Sequence, residues 1–462
     1  MWDHKPPLIF RFDQFGLAIG SGSVGGVVAL NFIVVVVFFL LCYWLLSEVA
    51  HRETALLACV FGILYFADCT ISPNVTEVVC LPLEAISLIL LMKDMRYGPT
   101  RGRAFTQGVI FSALFWTRPN DISIAFVYGV AISFVIARAS ELVRWLKFVR
   151  WSKVIGAVAC GGIAGTLCIT LPVVLRSSWS ELWFATFQFN QLYANLTTFL
   201  ERIHALVWLL LFSANHGITL LAATILVCFA YQRPRFESVQ DRFKWITLLW
   251  FVFAVLCAAY TGKRYGKNAI TWIVPVMCGI SIFFEEIRGL HNLRTRIPVL
   301  ALTLVVAGFI VLSSLVEWSQ SQKQGTDDQA SILTELDQVA SKSDRVLFWG
   351  AIDPTLIFRA DRPSATRFFC SVPLMHGASL YRTLAPVALS DVSRNPPPVI
   401  IERYTTDFPP LFEAVGNERG APINGIAWDT QELARAKSEL SSRYVLIWVD
   451  TKESVRIYKR QS

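Results

Sequence analysis

Three groups of residues have types and spacing suited to holding an anion beside a membrane. The first is Asp3-His4-Lys5-Pro6-Pro7-Leu8-Ile9. The prolines stiffen this segment into an extended run, and the Lys5 ammonium, just ahead of the first apolar stretch, can face a phosphate. The competing reading is a lysine that reaches up to the headgroups. The second group is Arg118 with Asn120 and Asp121, inside Thr117-Arg118-Pro119-Asn120-Asp121. Its guanidinium can grip a phosphate through two hydrogen bonds, or pair with Asp121. The third is Lys263-Arg264-Tyr265-Gly266-Lys267, where clustered cations suit an anionic ligand or headgroups. Carboxylates complete the set. Asp68 and Glu77 bracket a short polar loop, where either can act as a general base or bind a hydroxyl. Glu77 lies three residues after Asn74 and equally suits a helix cap. Glu181 reads first as part of a solvated face.

The elements that must position these groups are apolar helices. The chain has 462 residues, 54% hydrophobic and 16% charged. Soluble domains carry about 25% charged residues. A span needs roughly 20 apolar residues. About ten candidates appear: 25–47, 53–71, 77–93, 104–118, 121–138, 153–176, 212–232, 244–261, 268–286 and 297–316. The 104–138 stretch is divided at Thr117–Asp121, because a residue before proline avoids helical geometry and a charged pair is costly in mid-bilayer. Basic residues recur in every second loop: Lys93–Arg103, Arg138–Lys153, Arg233–Lys244 and Arg288–Arg296. The positive-inside rule makes that side the cytoplasm and puts Asp3–Leu8 and residues 317–462 outside. The net charge of +8 is then a matter of membrane orientation, and no nucleic-acid-binding motif is present. Arg176–His204, rich in Trp, Phe and Tyr, is expected to lie along the outer interface as an amphipathic element.

From about residue 325 the pattern changes. Helical periodicity over 330–341 and 431–442 alternates with strand candidates at 345–350, 399–401, 444–449 and 455–458, which suits a small α/β domain. It shows no phosphate loop, nucleophile elbow or metal signature, and reads as a structural or acceptor-docking domain. Of the ten cysteines, Cys370 alone falls in this part, so no disulfide framework within it is implied. The fold class expected is a polytopic α-helical membrane protein of about ten spans with a C-terminal extracytoplasmic α/β domain. Its divisions are an outside segment at 1–24, a multi-span domain at 25–316 and the α/β domain at 325–462. Asn74-Val75-Thr76 and Asn195-Leu196-Thr197 are formal glycosylation sequons.

The Asp3-His4-Lys5-Pro6-Pro7-Leu8 segment resembles the DxKPP segment of bacterial GT-C membrane glycosyltransferases. The relevant group is RgtA/B/C/D-like, related to protein O-mannosyltransferases and the lipid A aminoarabinose transferase. Asn74-Val75-Thr76-Glu77, Thr117-Arg118-Pro119-Asn120, Phe189-Asn190-Gln191-Leu192-Tyr193 and Lys263-Arg264-Tyr265 are similar to weaker features of that group, in the same order. The strand candidate Val346–Gly350, followed by Arg362-Pro363-Ser364-Ala365-Thr366-Arg367-Phe368, looks like the terminal domain of its larger members.

The resemblance implies transfer of a sugar from a polyprenyl-phosphate donor to an acceptor hydroxyl on the outer face of the cytoplasmic membrane, with inversion. The acceptor would be an envelope glycan, a lipid or a protein. On that reading Lys5, Arg118, Lys263 and Arg264 hold the donor phosphate. Glu77, Asn120, Asn190, Tyr193 and Tyr265 bind sugar or acceptor, and Asp3 or Asp68 is a candidate base. No cofactor is expected; a divalent metal is compatible with the chemistry, though no ligand motif is seen. In the family the catalytic aspartate lies after an N-terminal span and before the KPP segment. This sequence starts at Met1, two residues before Asp3, so that span and that aspartate are absent from it. A start further upstream, a truncated and inactive gene, or Asp3 or Asp68 taking over as base would each account for this. The rival class is a transporter or flippase for a lipid-linked saccharide, which should place ionisable residues deep in the spans and show internal repeats.

Overall fold

The computed structural model describes residues 7–21, 24–69, 76–138, 144–175, 179–188, 191, 198–215, 239–260, 266–289, 327–350, 352, 354–366, 378–403, 409–412, 430–450 and 454–461. They form a mostly helical chain with one small sheet. The chain divides into two compact units. The helical unit takes 5–182 and 197–320; the other takes 1–4, 183–196 and 321–462.

The helical unit opens with α1 (Pro7–Ile19). A proline suits a first helical position because its missing N–H would have no partner there. Residues 7–9, expected to be extended, therefore belong to a helix. Then come α2 (Val24–Ser47), α3 (Arg52–Cys69), α4 (Thr76–Tyr97), α5 (Arg101–Thr117), a 3-10 turn at Pro119–Asp121 and α6 (Ser123–Arg138). The break expected at 117–121 is present. The helix α7 (Arg144–Val174) takes in Arg144, Lys147, Arg150 and Lys153, expected largely in a loop. Lys and Arg are good helix formers, so the helix runs on past its apolar part.

The expected interfacial stretch 176–204 is not one element. Its described part is a short helix, α8 (Trp179–Trp183), a π-turn at Phe184–Gln188, and the first residues of α9 (Phe199–Asn215). The last described elements of the unit are α10 (Val239–Tyr260), a 3-10 segment at Gly266–Trp272 and α11 (Ile273–Gly289).

Three described stretches are long and apolar enough to cross a membrane: Gly25–Ser47, Val149–Val174 and Asp241–Tyr260. The expected span 297–316 and most of 212–232 lie outside the described residues.

Packing within this unit combines apolar contact with a few polar pins. Helices α5 and α7 approach closely through small residues. A Cβ at Gly108 would run into the Val158 carbonyl, and one at Gly161 into the Phe105 carbonyl. Along the same seam Ser112 and Thr166 share a 3.0 Å hydrogen bond, and the Trp116 indole donates to Thr166 at 3.1 Å. Between α4 and α5, the Ser87 hydroxyl donates to Gln107 Oε1 at 2.9 Å, and Gln107 Nε2 donates to the Ser87 carbonyl at 2.8 Å. The Tyr65 hydroxyl donates to the Ala269 carbonyl at 2.6 Å and Trp250 Nε1 to Ser123 Oγ at 3.2 Å. At the C-terminal end of α4, buried Asp94 accepts from Arg103 Nε at 2.5 Å and from the Tyr128 hydroxyl at 3.1 Å.

The second unit is built on four strands, β1 (Val346–Gly350), β2 (Val399–Arg403), β3 (Tyr444–Asp450) and β4 (Val455–Arg460), in the order β1-β2-β4-β3. β1 and β2 are parallel, with Val346 opposite Val399; the other pairings are antiparallel. Four helices join them: α12 (Asp327–Val339), α13 (Pro354–Ala360), α14 (Ala378–Arg394) and α15 (Gln431–Ser441).

Alternation along each strand sends Leu347, Trp349, Ile400 and Tyr458 into one core with residues of α14 and α15. Val346, Phe348, Ile401 and Ile457 enter another with residues of α12 and α13. A sheet covered on both faces explains why β1 is apolar at every position. Phe184, from the 183–196 segment of the same unit, packs against the Trp349 core.

Candidate functional site

The described polar cluster with the clearest chemical character joins the N-terminal end of α4 to the C-terminal end of α5. Proline at 119 forces Arg118 out of helical geometry, and its backbone is extended at φ −158° and ψ 105°. The Arg118 side chain spans two carboxylates. Nη2 lies 3.2 Å from Glu77 Oε1 and Nη1 lies 3.3 Å from Asp121 Oδ1. The side chains are 13%, 2% and 1% exposed, in the order Arg118, Glu77, Asp121, so these pairs are held away from water. The Thr76 hydroxyl adds a 3.0 Å hydrogen bond to Glu77 Oε2.

One face of α4 extends the cluster inward, since positions 77, 80 and 84 recur at i, i+3 and i+7. Glu84 is 0% exposed and lies within electrostatic reach of Asp121 and Arg118. Neither oxygen of Glu84 has a hydrogen-bond partner among the described residues, and Asp121 Oδ2 has none either. Buried acceptors without donors are costly, so the acceptor atoms of Glu84 and Asp121 left unfilled among the described residues mark a place that would gain from a donor. Among the described residues, two carboxylates, Glu77 and Asp121, face the Arg118 guanidinium, an arrangement suited to binding hydroxyls or accepting a proton.

Of the residues singled out from sequence, Glu77 and Arg118 are brought together, with Asp121. Glu77 sits in the first turn of α4, where it pairs with Arg118; Asn74, its expected capping partner, lies outside the described residues. Asn120 lies in the 3-10 turn and Asp68 in the last turn of α3; their side chains are outside the described set. The same holds for the Glu181 side chain in α8. Asp3, Lys5, Asn190, Tyr193, Lys263, Arg264 and Tyr265 also lie outside the described residues. Among the described residues, no three His, Cys, Asp or Glu side chains converge as metal ligands.

Sequence reasoning missed Glu84. The signal was available: a carboxylate alone within Val78-Val79-Cys80-Leu81-Pro82-Leu83-Glu84-Ala85-Ile86, where ionisable groups are rare and expensive.

No protein-family model matches the chain, and no curated protein matches it.

Proposed function

We propose that this chain is a multi-span glycosyltransferase of the cytoplasmic membrane, working on its outer face with a polyprenyl-phosphate-linked sugar as donor. The alternating loop charges support about ten spans, with the N-terminal segment and the α/β unit outside. The observation that carries the catalytic reading is the buried Glu77–Arg118–Asp121 constellation at the helix ends which that pattern assigns outside.

Transfer with inversion needs one carboxylate. The acceptor oxygen attacks the anomeric carbon while its proton passes to the carboxylate. The bond from that carbon to the phosphate oxygen breaks, and the lipid phosphate leaves with the electron pair. Glu77 and Asp121 are the described candidates for this carboxylate or for holding sugar hydroxyls, beside Asp3 and Asp68. Arg118 fixes both carboxylates in place. Its charge is already matched, so the donor phosphate falls to Lys5, Lys263 and Arg264, where ammonium and guanidinium groups stabilise the charge that develops on it.

The test uses the full chain in nanodiscs with polyprenyl-phosphate sugars labelled in the sugar, together with a membrane fraction as acceptor source. Release of polyprenyl phosphate with label in the acceptor fraction is the expected result. It should fall by 100-fold or more in Glu77→Gln or Asp121→Asn if that residue is the base. No transfer from any donor sugar would overturn the proposal.

A second reading, a transporter of the same lipid-linked saccharide, gains support from Glu84, an ionisable residue deep in a helix. In proteoliposomes a transporter changes the sidedness of labelled lipid and leaves its glycosyl bond intact.

A further inference from the structure

A cavity of about 240 Å³ opens in the helical unit between Val49, Ala50, Phe243, Lys244, Ser281, Ile282 and Glu285. It is remote in sequence from the α4–α5 cluster and shares no residue with it. Its position is informative. Val49 and Ala50 lie within three residues of the end of the apolar stretch Gly25–Ser47, and Phe243 and Lys244 lie in the first turn of the apolar stretch Asp241–Tyr260. A cavity bounded by an end of each of two such helices would sit at the lipid–water boundary of a membrane.

Its wall is divided by chemistry. Ile282, Phe243 and Val49 supply apolar surface; Lys244 supplies a cation and Glu285 an anion. Ser281 is 0% exposed, and its hydroxyl has no hydrogen-bond partner among the described residues. A buried hydroxyl normally finds a partner, so this one marks a place for a polar ligand atom. Glu285 is held rigid from one side. Its Oε1 accepts from the His51 backbone N–H at 2.8 Å and the Thr54 hydroxyl at 2.7 Å, while Oε2 stands 3.9 Å from His51 Nε2. Lys244 stands 3.9 Å from Asp241 on its own helix.

We propose that this cavity binds the headgroup of a zwitterionic phospholipid with a primary ammonium, phosphatidylethanolamine in chemical type. The phosphate lies toward Lys244 and the ammonium toward Glu285, Ser281 hydrogen-bonds an ester or phosphate oxygen, and the apolar wall meets the glycerol and first methylenes. A purely anionic lipid would place its second polar group against Glu285 without a charge to match it. A choline headgroup offers Glu285 no N–H. The inference rests on the membrane placement of α2 and α10 and is independent of the glycosyltransferase reading.

The experiment is native mass spectrometry of the detergent-purified, delipidated full chain. Phosphatidylethanolamine, phosphatidylcholine and phosphatidylglycerol of identical acyl chains are added singly, and soluble O-phosphoethanolamine serves as competitor. The ethanolamine lipid should be retained at least tenfold better than the other two. Lys244→Met should reduce that retention about tenfold. Ala50→Trp, in the turn after α2, should abolish the preference by filling the mouth while leaving the helix intact.

Equal retention of all three lipids, unchanged by Ala50→Trp, would overturn the proposal in favour of a nonspecific lipid shell. A preference for phosphatidylglycerol lost in Lys244→Met would overturn it in favour of an anion site. Full displacement by millimolar O-phosphoethanolamine would assign the site to a free metabolite. A chain that stays monodisperse without detergent would instead remove the membrane premise.

Discussion

Arg118→Met is the sharpest test of the α4–α5 cluster as a buried charge network. The substitution keeps much of the side chain's length and apolar surface and removes the cation. It takes from Glu77 and Asp121, 2% and 1% exposed, the cation that spans them. Removing one partner of a buried ion pair costs about 3–5 kcal/mol, because the remaining charge is stranded. At about 1.4 kcal/mol per decade, that is a rise of roughly 2–3.5 decades in the unfolding equilibrium constant. The assay is reversible unfolding in mixed micelles at increasing denaturing-detergent fraction, followed by helix content. Glu77→Gln should cost less, about 1.5–3 kcal/mol, since Arg118 keeps Asp121. In the double variant Arg118→Met/Glu77→Gln the loss should be smaller than the sum of the two, because one stranded carboxylate is gone. A loss of under about 0.5 kcal/mol for Arg118→Met, at the level of an exposed pair, would refute the argument that the pairs are held away from water. So would strict additivity in the double variant. If Arg118→Met kept its stability and lost transferase turnover alone, the guanidinium would be a phosphate ligand, and the assignment of that task to Lys5, Lys263 and Arg264 would fail.

Three further outcomes follow from other parts of the chain. On α7, Gly161→Ala should destabilise by about 1–3 kcal/mol, because its Cβ meets the Phe105 carbonyl, while Gly156→Ala, with open space around it, should stabilise by about 0.5–1 kcal/mol; thermal melts of the two variants against wild type decide it. Arg362 is buried and donates to the carbonyls of Leu336, Ala340, Ser341 and Ala360 as well as to Asp337, so Arg362→Met should cost about 3 kcal/mol and speed proteolysis at the end of α12. Glu402 is buried on β2, where it accepts from the Leu411 and Phe412 N–H groups and the Tyr458 hydroxyl, and burial pushes its carboxyl above the ordinary 4.5. A raised carboxyl pKa stabilises the fold below the unfolded value of about 4.5, and that contribution is lost as pH climbs through the folded value, so the advantage of wild type over Glu402→Gln should shrink as pH rises from 4.5; hydrogen exchange of the Leu411 and Phe412 amides reads it, and an advantage that grows with pH would refute the assignment.

The α/β unit was the most legible part of the sequence. Its strands are short apolar runs bounded by turn residues, and the expected strands at 345–350, 399–401, 444–449 and 455–458 match β1–β4 within a residue or two at most ends. Helices α13 and α14 were missed for a physical reason. Pro354–Ala360 is too short to show a period, and Ala378–Arg394 carries Pro386 in its interior, which argues locally against a helix that tertiary packing of Tyr381, Leu384, Ala388 and Val392 supports. The helical unit was legible in its breaks and less so in its ends. Thr117–Asp121 was found because proline acts on its immediate neighbour; the start of α7 lies beyond its apolar part, where hydropathy carries no signal, whereas most of α9, apolar over 205–212, falls before the expected span 212–232.

The candidate site divides along the same line. Arg118 and Asp121 are close in sequence, so their pairing could be anticipated from spacing alone. Glu77 lies 41 positions before Arg118, and nothing local ties the two; only the side-by-side packing of α4 and α5 turns a presumed capping residue into an ion-pair partner. Glu84 shows the converse. Its place on the face of α4 shared with Glu77 is a matter of helical period, available from sequence although it lies outside the loops. A carboxylate that an apolar helix buries without a donor among the described residues is retained against a steep cost, and that cost makes it a stronger pointer to function than cations near a headgroup, which are inexpensive to place there. Glu84→Leu separates the two cases: a purely structural Glu84 predicts a gain in stability of 1–4 kcal/mol with turnover unchanged, while a functional one predicts the same gain with turnover lost.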